Sequence, residues 1–78
     1  MKKSLATIFG EVLKELRNEA GISQEGLANE CELDRSFISM LERGLRMPTI
    51  ETLFKLAKAL SKAPFEIIKI VEQKYETS

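Results

Sequence analysis

The stretch Ser23–Arg43, SQEGLANECELDRSFISMLER, decides how this chain folds. At a period of 3.6 residues it reads as two short helices that share a corner. Ser23 opens the first; a serine hydroxyl accepts from the unpaired N–H groups of a helix's first turn. Gln24 follows, and Leu27, Ala28 and Cys31 then fall together on an inward face. Asp34 opens the second helix, which turns Ile38 and Leu41 inward and leaves Arg35, Ser36, Ser39, Met40 and Arg43 facing solvent. Only Glu32 and Leu33 lie between the two, enough for a tight turn and nothing more.

Two helices of about eight residues joined by such a turn form a helix-turn-helix, whose second helix enters the DNA major groove. The stretch resembles the phage-repressor and Cro-like (Xre-type) helix-turn-helix family. The residues that carry the likeness are Ser23-Gln24-Glu25, Leu27-Ala28, Ile38-Ser39 and Leu41-Glu42-Arg43-Gly44. Pro48, Leu53, Leu56-Ala57 and Leu60 continue at that family's spacing, so the likeness runs from Phe9 to near Val71. Within the family, Leu33 to Ser39 followed by Glu42, Arg43 and Arg46 is similar to the controller proteins of restriction–modification systems. The resemblance implies an all-α, compact five-helix, lambda-repressor-like domain spanning residues 1–78, which binds double-stranded DNA as a homodimer. Two positions depart from the family pattern. Glu32 occupies a turn site usually given to glycine and must adopt a left-handed backbone, at a cost of about 1 kcal/mol. Gly26 replaces a helix former, costing about another 1 kcal/mol, and removes the capping box that Ser23 could have made.

Composition bounds the answer. Seventy-eight residues make one domain, too small for a large catalytic cavity beside its own core. Hydrophobic content of 44% with 31% charged residues belongs to a folded domain rather than a disordered tail. No run approaches the ~20 apolar residues of a membrane span, and Lys2-Lys3 lack the following apolar stretch of a signal peptide. A lone cysteine cannot pair within the chain, which fits a reducing cytoplasm; the resemblance adds a place on the nucleoid.

A net charge of zero and a pI near 6.3 argue, as bulk numbers, against a nucleic-acid binder. The distribution argues the other way. Residues 20–34 carry Glu25, Glu30, Glu32 and Asp34 with no base among them, whereas residues 35–47 set Arg35, Arg43 and Arg46 against Glu42 alone. Positive charge is gathered on and just after the helix that would read the groove.

Outside the central stretch, Leu5, Ile8, Phe9, Val12, Leu13, Leu16 and Ala20 recur at three and four, predicting a first helix over 5–20 that Gly21 stops. Gly10 weakens it mildly. Gly44 ends the third helix, and Pro48 keeps Met47 extended. Thr49 caps a fourth helix with Ile50, Leu53, Phe54, Leu56, Ala57 and Leu60 inward. Pro64 starts a fifth that runs to about Lys74, followed by a frayed tail. In this last helix Phe65, Ile68 and Val71 can face the core, which leaves Ile67 and Ile70 pointing elsewhere. A small domain does not leave an isoleucine pair in water without reason. Residues 64–75 therefore read as a two-fold interface built on Phe65, Ile67, Ile70 and Val71, with Leu60 or Phe54 at its margin. The alternative is that Ile67 and Ile70 merely cover the N-terminus of the first helix.

Roles on DNA follow residue by residue. Arg35, in the first turn of the reading helix, can fork onto the O6 and N7 of a guanine; the alternative is a phosphate contact or a solvated charge. Ser36 and Ser39 can reach base edges or phosphate, and Met40 a thymine methyl. Phe37 lies one residue off the buried stripe and, without a hydroxyl, can only pack or touch the sugar and methyl groups beside the backbone. Gln24 stands where free N–H groups and an amide together suit a phosphate, the role the resemblance also implies. Arg43 and Thr49 line the exit of the reading helix and contact phosphates, with Thr52 and Asn29 as outer contacts. Arg46 is similar to a controller-protein arginine that also reaches bases.

The resemblance further implies a structural ion pair between Arg17 and Glu42, whose purpose is geometry more than net stability. It also implies a contact with RNA polymerase through the acidic patch of Glu25 and Glu30; the alternative is a solvated helix face. Catalysis finds no support: the chain has no histidine, no Cys/His metal set and no glycine-rich phosphate loop, and Cys31 falls on a buried face. No cofactor or small-molecule ligand is expected. Two functions remain: a dimeric sequence-specific DNA-binding regulator, and an antitoxin-like or coactivator-like adaptor on the same fold whose partner is a protein.

Overall fold

Hydroxyl groups start three of the helices. Ser4, Ser23 and Thr49 each accept, through the side-chain oxygen, the N–H of the residue three further on (Thr7, Gly26 and Thr52) at 2.9–3.1 Å. The computed structural model describes residues 2–78. It forms α1 (Leu5–Glu19), α2 (Gln24–Cys31), α3 (Arg35–Glu42), α4 (Ile50–Ala59) and α5 (Pro64–Thr77). Asp34 has extended backbone at the start of α3, as its residue type suggests, yet its side chain caps nothing. At α5 the roles reverse. Ala63 has no side-chain acceptor to offer, and its own N–H donates to Glu66 Oε1 at 2.7 Å, beside Pro64 in the first turn.

Glu32 takes the expected left-handed conformation at φ 56°, and its N–H donates back to the end of α2. Gly21 and Gly44, at φ 70° and 75°, end α1 and α3. Around these corners α1 packs on α3 and α5, α2 on α3 and α4, and α4 on α5. The core they enclose runs from Ile8 through Leu13, Leu27, Ile38 and Leu56 to Val71.

Four sequence expectations change. Gly10 is no mild weakness but a requirement of the α1–α3 crossing: a Cβ there would lie 2.6 Å from the Glu42 carbonyl oxygen and press on the Leu41 carbonyl. Leu5, at the very start of α1, and Ala20, just past its end, are exposed rather than inward. In α4 the buried stripe is Leu53, Leu56, Ala57 and Leu60. Ile50 and Phe54, four residues apart on a neighbouring stripe, stay outside at 72% and 58% exposure.

The fourth change reverses the reading of α5. Ile67 is fully buried and Ile70 packs against the core, while Val71, nearly buried, is the one residue of the expected inward set that stays inward. Phe65 and Ile68 are the exposed pair, at 71% and 47%. Both apolar stripes had the right period, and α1 and α4 together accept the one that also brings Lys74 to Glu15, 2.9 Å away. That ion pair, with Lys2 lying 4.4 Å over the Tyr75 ring, ties the end of α5 to α1. The helix accordingly continues to Thr77 instead of fraying after Lys74.

Gly10→Ala should lower stability by about 1–3 kcal/mol, as overpacking against rigid backbone does; a thermal melt matching wild type would contradict the close crossing. Cys31 is buried against the α2–α4 contact, and burial, followed by the Glu30 charge, raises its thiol pKa. It should resist aromatic disulfide reagents in the folded protein and react promptly in denaturant. Rapid labelling of native protein would contradict its placement.

Candidate nucleic-acid interface

The helix-turn-helix holds one face of α3 inward and frees the other. Ile38 and Leu41 are completely buried, whereas Arg35, Ser36 and Arg43 are exposed and Ser39 and Met40 half-buried on the outer side. Arg46 stands exposed in the segment that leaves α3. Spacings of three and four bring Arg35, Ser39 and Met40 with Ser36 and Arg43 along two adjoining rows of a helix. The expected reading surface is therefore assembled as one face.

Its orientation is fixed at the far end of α3. Arg17, in the last turn of α1, clasps Glu42 with two parallel bonds, Nε to Oε2 at 2.6 Å and Nη2 to Oε1 at 3.0 Å. Its third donor, Nη1, reaches the Ile22 carbonyl at 2.9 Å. The side chains are 10% and 3% exposed, so this pair lies inside the protein. The hydrogen bond to Glu42 holds the Arg17 pKa above its ordinary value, burial pulls against it, and the Glu42 charge adds to the rise. The structure thus contains the ion pair that the family resemblance implied, in the planar two-toothed form.

Gln24 joins this pair, a connection that sequence reading missed. Its Nε2 donates to Glu42 Oε1 at 2.9 Å, and its Oε1 accepts from Arg35 Nη1 at 3.1 Å. The residue expected to hold a phosphate also spans from the buried carboxylate to the guanidinium at the head of α3. Charge type was the signal available: a donor-only arginine and an acceptor-only glutamate leave an amide as the natural link between them.

Other expected contacts are redistributed. Phe37 packs against the core and is only half exposed, so it supports α3 in place of lining the backbone-facing set. The Thr49 hydroxyl accepts from the Thr52 N–H and donates to Thr52 Oγ1, which makes Thr49 a cap and leaves the Thr52 hydroxyl as the free donor. Asn29 is exposed, but five residues from Gln24 it is turned roughly 140° around α2 and does not share its face. Glu25 and Glu30 are both exposed, yet the same spacing separates them. Glu30 instead borders a cleft with Lys55 and Lys58 between α2 and α4.

The sequence model of the helix-turn-helix family matches residues 13–67. The chain belongs to the helix-turn-helix family of DNA-binding transcriptional regulators. It is 35% identical to control protein C.BamHI of Bacillus amyloliquefaciens, over 87% of this chain and 85% of that protein. Among solved structures it resembles the restriction–modification controller protein C.AhdI of Aeromonas hydrophila, with 44% identity and a TM-score of 0.77 over 80% of this chain and 94% of that one. The wild-type controller C.Esp1396I gives 32% identity and a TM-score of 0.82, covering 94% and 96%. The ClgR regulator of Corynebacterium glutamicum shares the fold at 21% identity, with a TM-score of 0.91 over 99% of this chain and 82% of that one. Among the described residues no helix is long and apolar enough to cross a membrane.

Glu42→Ala leaves the buried Arg17 with one backbone acceptor. Breaking a buried pair from one side costs about 3–5 kcal/mol, so both melting temperature and DNA affinity should fall. Unchanged values of both would contradict the pairing as the anchor of α3.

Proposed function

We propose that this chain is a sequence-specific regulator of the restriction–modification controller type, which binds a near-palindromic operator as a homodimer and works on the nucleoid in the cytoplasm. One observation carries the reading. The outer face of α3 and the segment after it expose three arginines, while the inner face of the same helix is locked by Ile38 and Leu41. In this reading Arg35 forks onto a guanine, Ser36, Ser39 and Met40 touch neighbouring base edges, and Arg46 serves bases and backbone. Gln24, Arg43 and Thr52 hold phosphates and set the register. Glu25, exposed beside Gln24 at the edge of that surface, is the residue we assign to a polymerase contact.

The whole chain acts as one DNA-binding domain, and α5 contributes to dimerisation through a surface that keeps Phe65 from the sequence reading and puts Ile68 in place of Ile67, Ile70 and Val71. Phe65 and Ile68 stand outward, and Ile68 borders an apolar groove of about 470 Å³ with Leu5, Met47, Ile50 and Tyr75. Exposed apolar surface of this kind marks an interaction site, and a two-fold partner places two copies of α3 about 34 Å apart, on successive turns of the major groove. A protein-binding adaptor would use the same groove but would have no need of the arginines.

Salt separates the two readings. Log affinity for an operator duplex selected from a random pool should fall steeply with log salt. Arg43→Ala should reduce that slope by about one per protomer, while Arg35→Ala should chiefly erase preference among sequences. Binding that ignores salt would contradict DNA recognition. Ile68→Asp should sediment as a monomer at micromolar concentration and lose operator affinity; a wild-type chain that is itself monomeric there, and on the operator, would contradict the dimer.

A further inference from the structure

We infer that Glu42, which is buried and faces away from the groove, is a positioning residue for base reading: it orients Arg35 through the Gln24 amide. This rests on the assignment of Arg35 as a base reader. The three bonds form a chain of fixed polarity. Arg17 can only donate and the Glu42 carboxylate can only accept, so the Gln24 amide must turn its nitrogen to Glu42 Oε1, 2.9 Å away. Its oxygen then faces outward, where Arg35 Nη1 donates to it at 3.1 Å. A guanidinium has five N–H donors, and one given to Gln24 leaves an edge for a guanine.

Arg35 is otherwise exposed, with no further side-chain partner among the described residues. A long side chain in water surrenders rotamer freedom when it engages a base. Held by Gln24, Arg35 has given up part of that freedom before DNA arrives. Gln24 also keeps a second N–H, which suits a phosphate, so backbone contact and base reading share one amide. The polarity makes the relay sensitive to a neutral isostere. A glutamine at 42 that keeps its oxygen on Arg17 Nε, the shortest of the three bonds at 2.6 Å, sets its nitrogen at the shared Oε1 position, against both Arg17 Nη2 and Gln24. The Gln24 amide would then reverse and present N–H groups to the Arg35 guanidinium, donor against donor, and Arg35 would be released.

The test uses the full chain and three duplexes: the operator selected from a random pool by wild-type protein, the same operator changed at the base pair where Arg35→Ala loses preference, and a scrambled duplex. The readout is discrimination, the affinity ratio between the first two. A good bidentate contact discriminates by roughly 1–3 kcal/mol, equivalent to about 5- to 150-fold. Glu42→Gln should lose about fivefold or more of that ratio, over and above whatever uniform loss of affinity it causes on all three duplexes. Gln24→Ala, on the protein's surface, should lose the same ratio on top of a uniform loss from its phosphate, and it decides the matter if Glu42→Gln does not fold. The exchange Gln24→Glu with Glu42→Gln restores the alternation of donors and acceptors and should recover the ratio, whatever it does to absolute affinity. Unchanged discrimination in folded Gln24→Ala, or no recovery in the exchange, overturns the relay alone. If Arg35→Ala loses preference at no base pair, the base-reading assignment falls and the relay with it.

Discussion

The Arg17–Glu42 pair sets where α3 lies, and with it the direction of the arginine-bearing face that we propose meets DNA. Desolvating two charges offsets much of their attraction, so the pair is worth more as a geometric constraint than as net stability. Its two parallel bonds admit one relative orientation of a planar guanidinium and a carboxylate. The third donor, on the Ile22 carbonyl, ties the same arginine to the corner before α2. The end of α1, the start of α2 and the end of α3 are thereby fastened at one point, and among the described residues no buried side-chain nitrogen or oxygen lacks a partner. Gly10 does complementary work by steric means. With no Cβ it lets α1 approach the last carbonyls of α3, and a bulkier residue would push the reading helix outward.

Charge distribution explains how a neutral chain can recognise a polyanion. The acidic side chains of residues 25–34 lie on α2 and its turn, while the arginines stand on α3 and the segment beyond it. Field at a surface depends on the charges near it, since water and salt screen beyond about 10 Å. The protein therefore presents a positive face without carrying a positive sum, which limits indiscriminate association with nucleic acid. In the proposed reading, specificity falls to the planar donors of Arg35 and the short polar side chains around it.

Much of this was legible in the sequence because it rests on local chemistry. The five helices, the hydroxyl caps at Ser23 and Thr49, the left-handed Glu32 and the glycine stops depend on neighbours within four residues, and all are present. The outward set on α3 followed from one stripe of Ile38 and Leu41. What escaped depends on three-dimensional partners. Helix α5 has two apolar stripes of similar period, and only the placement of α1 and α4 selects Ile67 and Ile70, over Phe65 and Ile68, to join Val71 at the core. Ile50 and Phe54 are apolar yet lie on the surface, and periodicity alone cannot tell their stripe from a core one. Gly10 looked like a propensity fault because its function lies in another helix. The link from Glu42 through Gln24 to Arg35 spans residues that are eleven and eighteen apart, and it becomes visible only when donors and acceptors are followed in space.

The central claim is that the outer face of α3, aligned by its buried pair, is the surface that meets DNA. Amide and arginine side-chain chemical shifts, mapped as isotope-labelled protein is titrated with a selected operator duplex, test it most directly. Perturbations concentrated at Gln24, along Arg35–Arg43 and at Arg46, with the Arg17 signal held, are the expected result. Perturbations centred on the groove between α4 and α5 while Arg35 and Arg43 stay unmoved would contradict it.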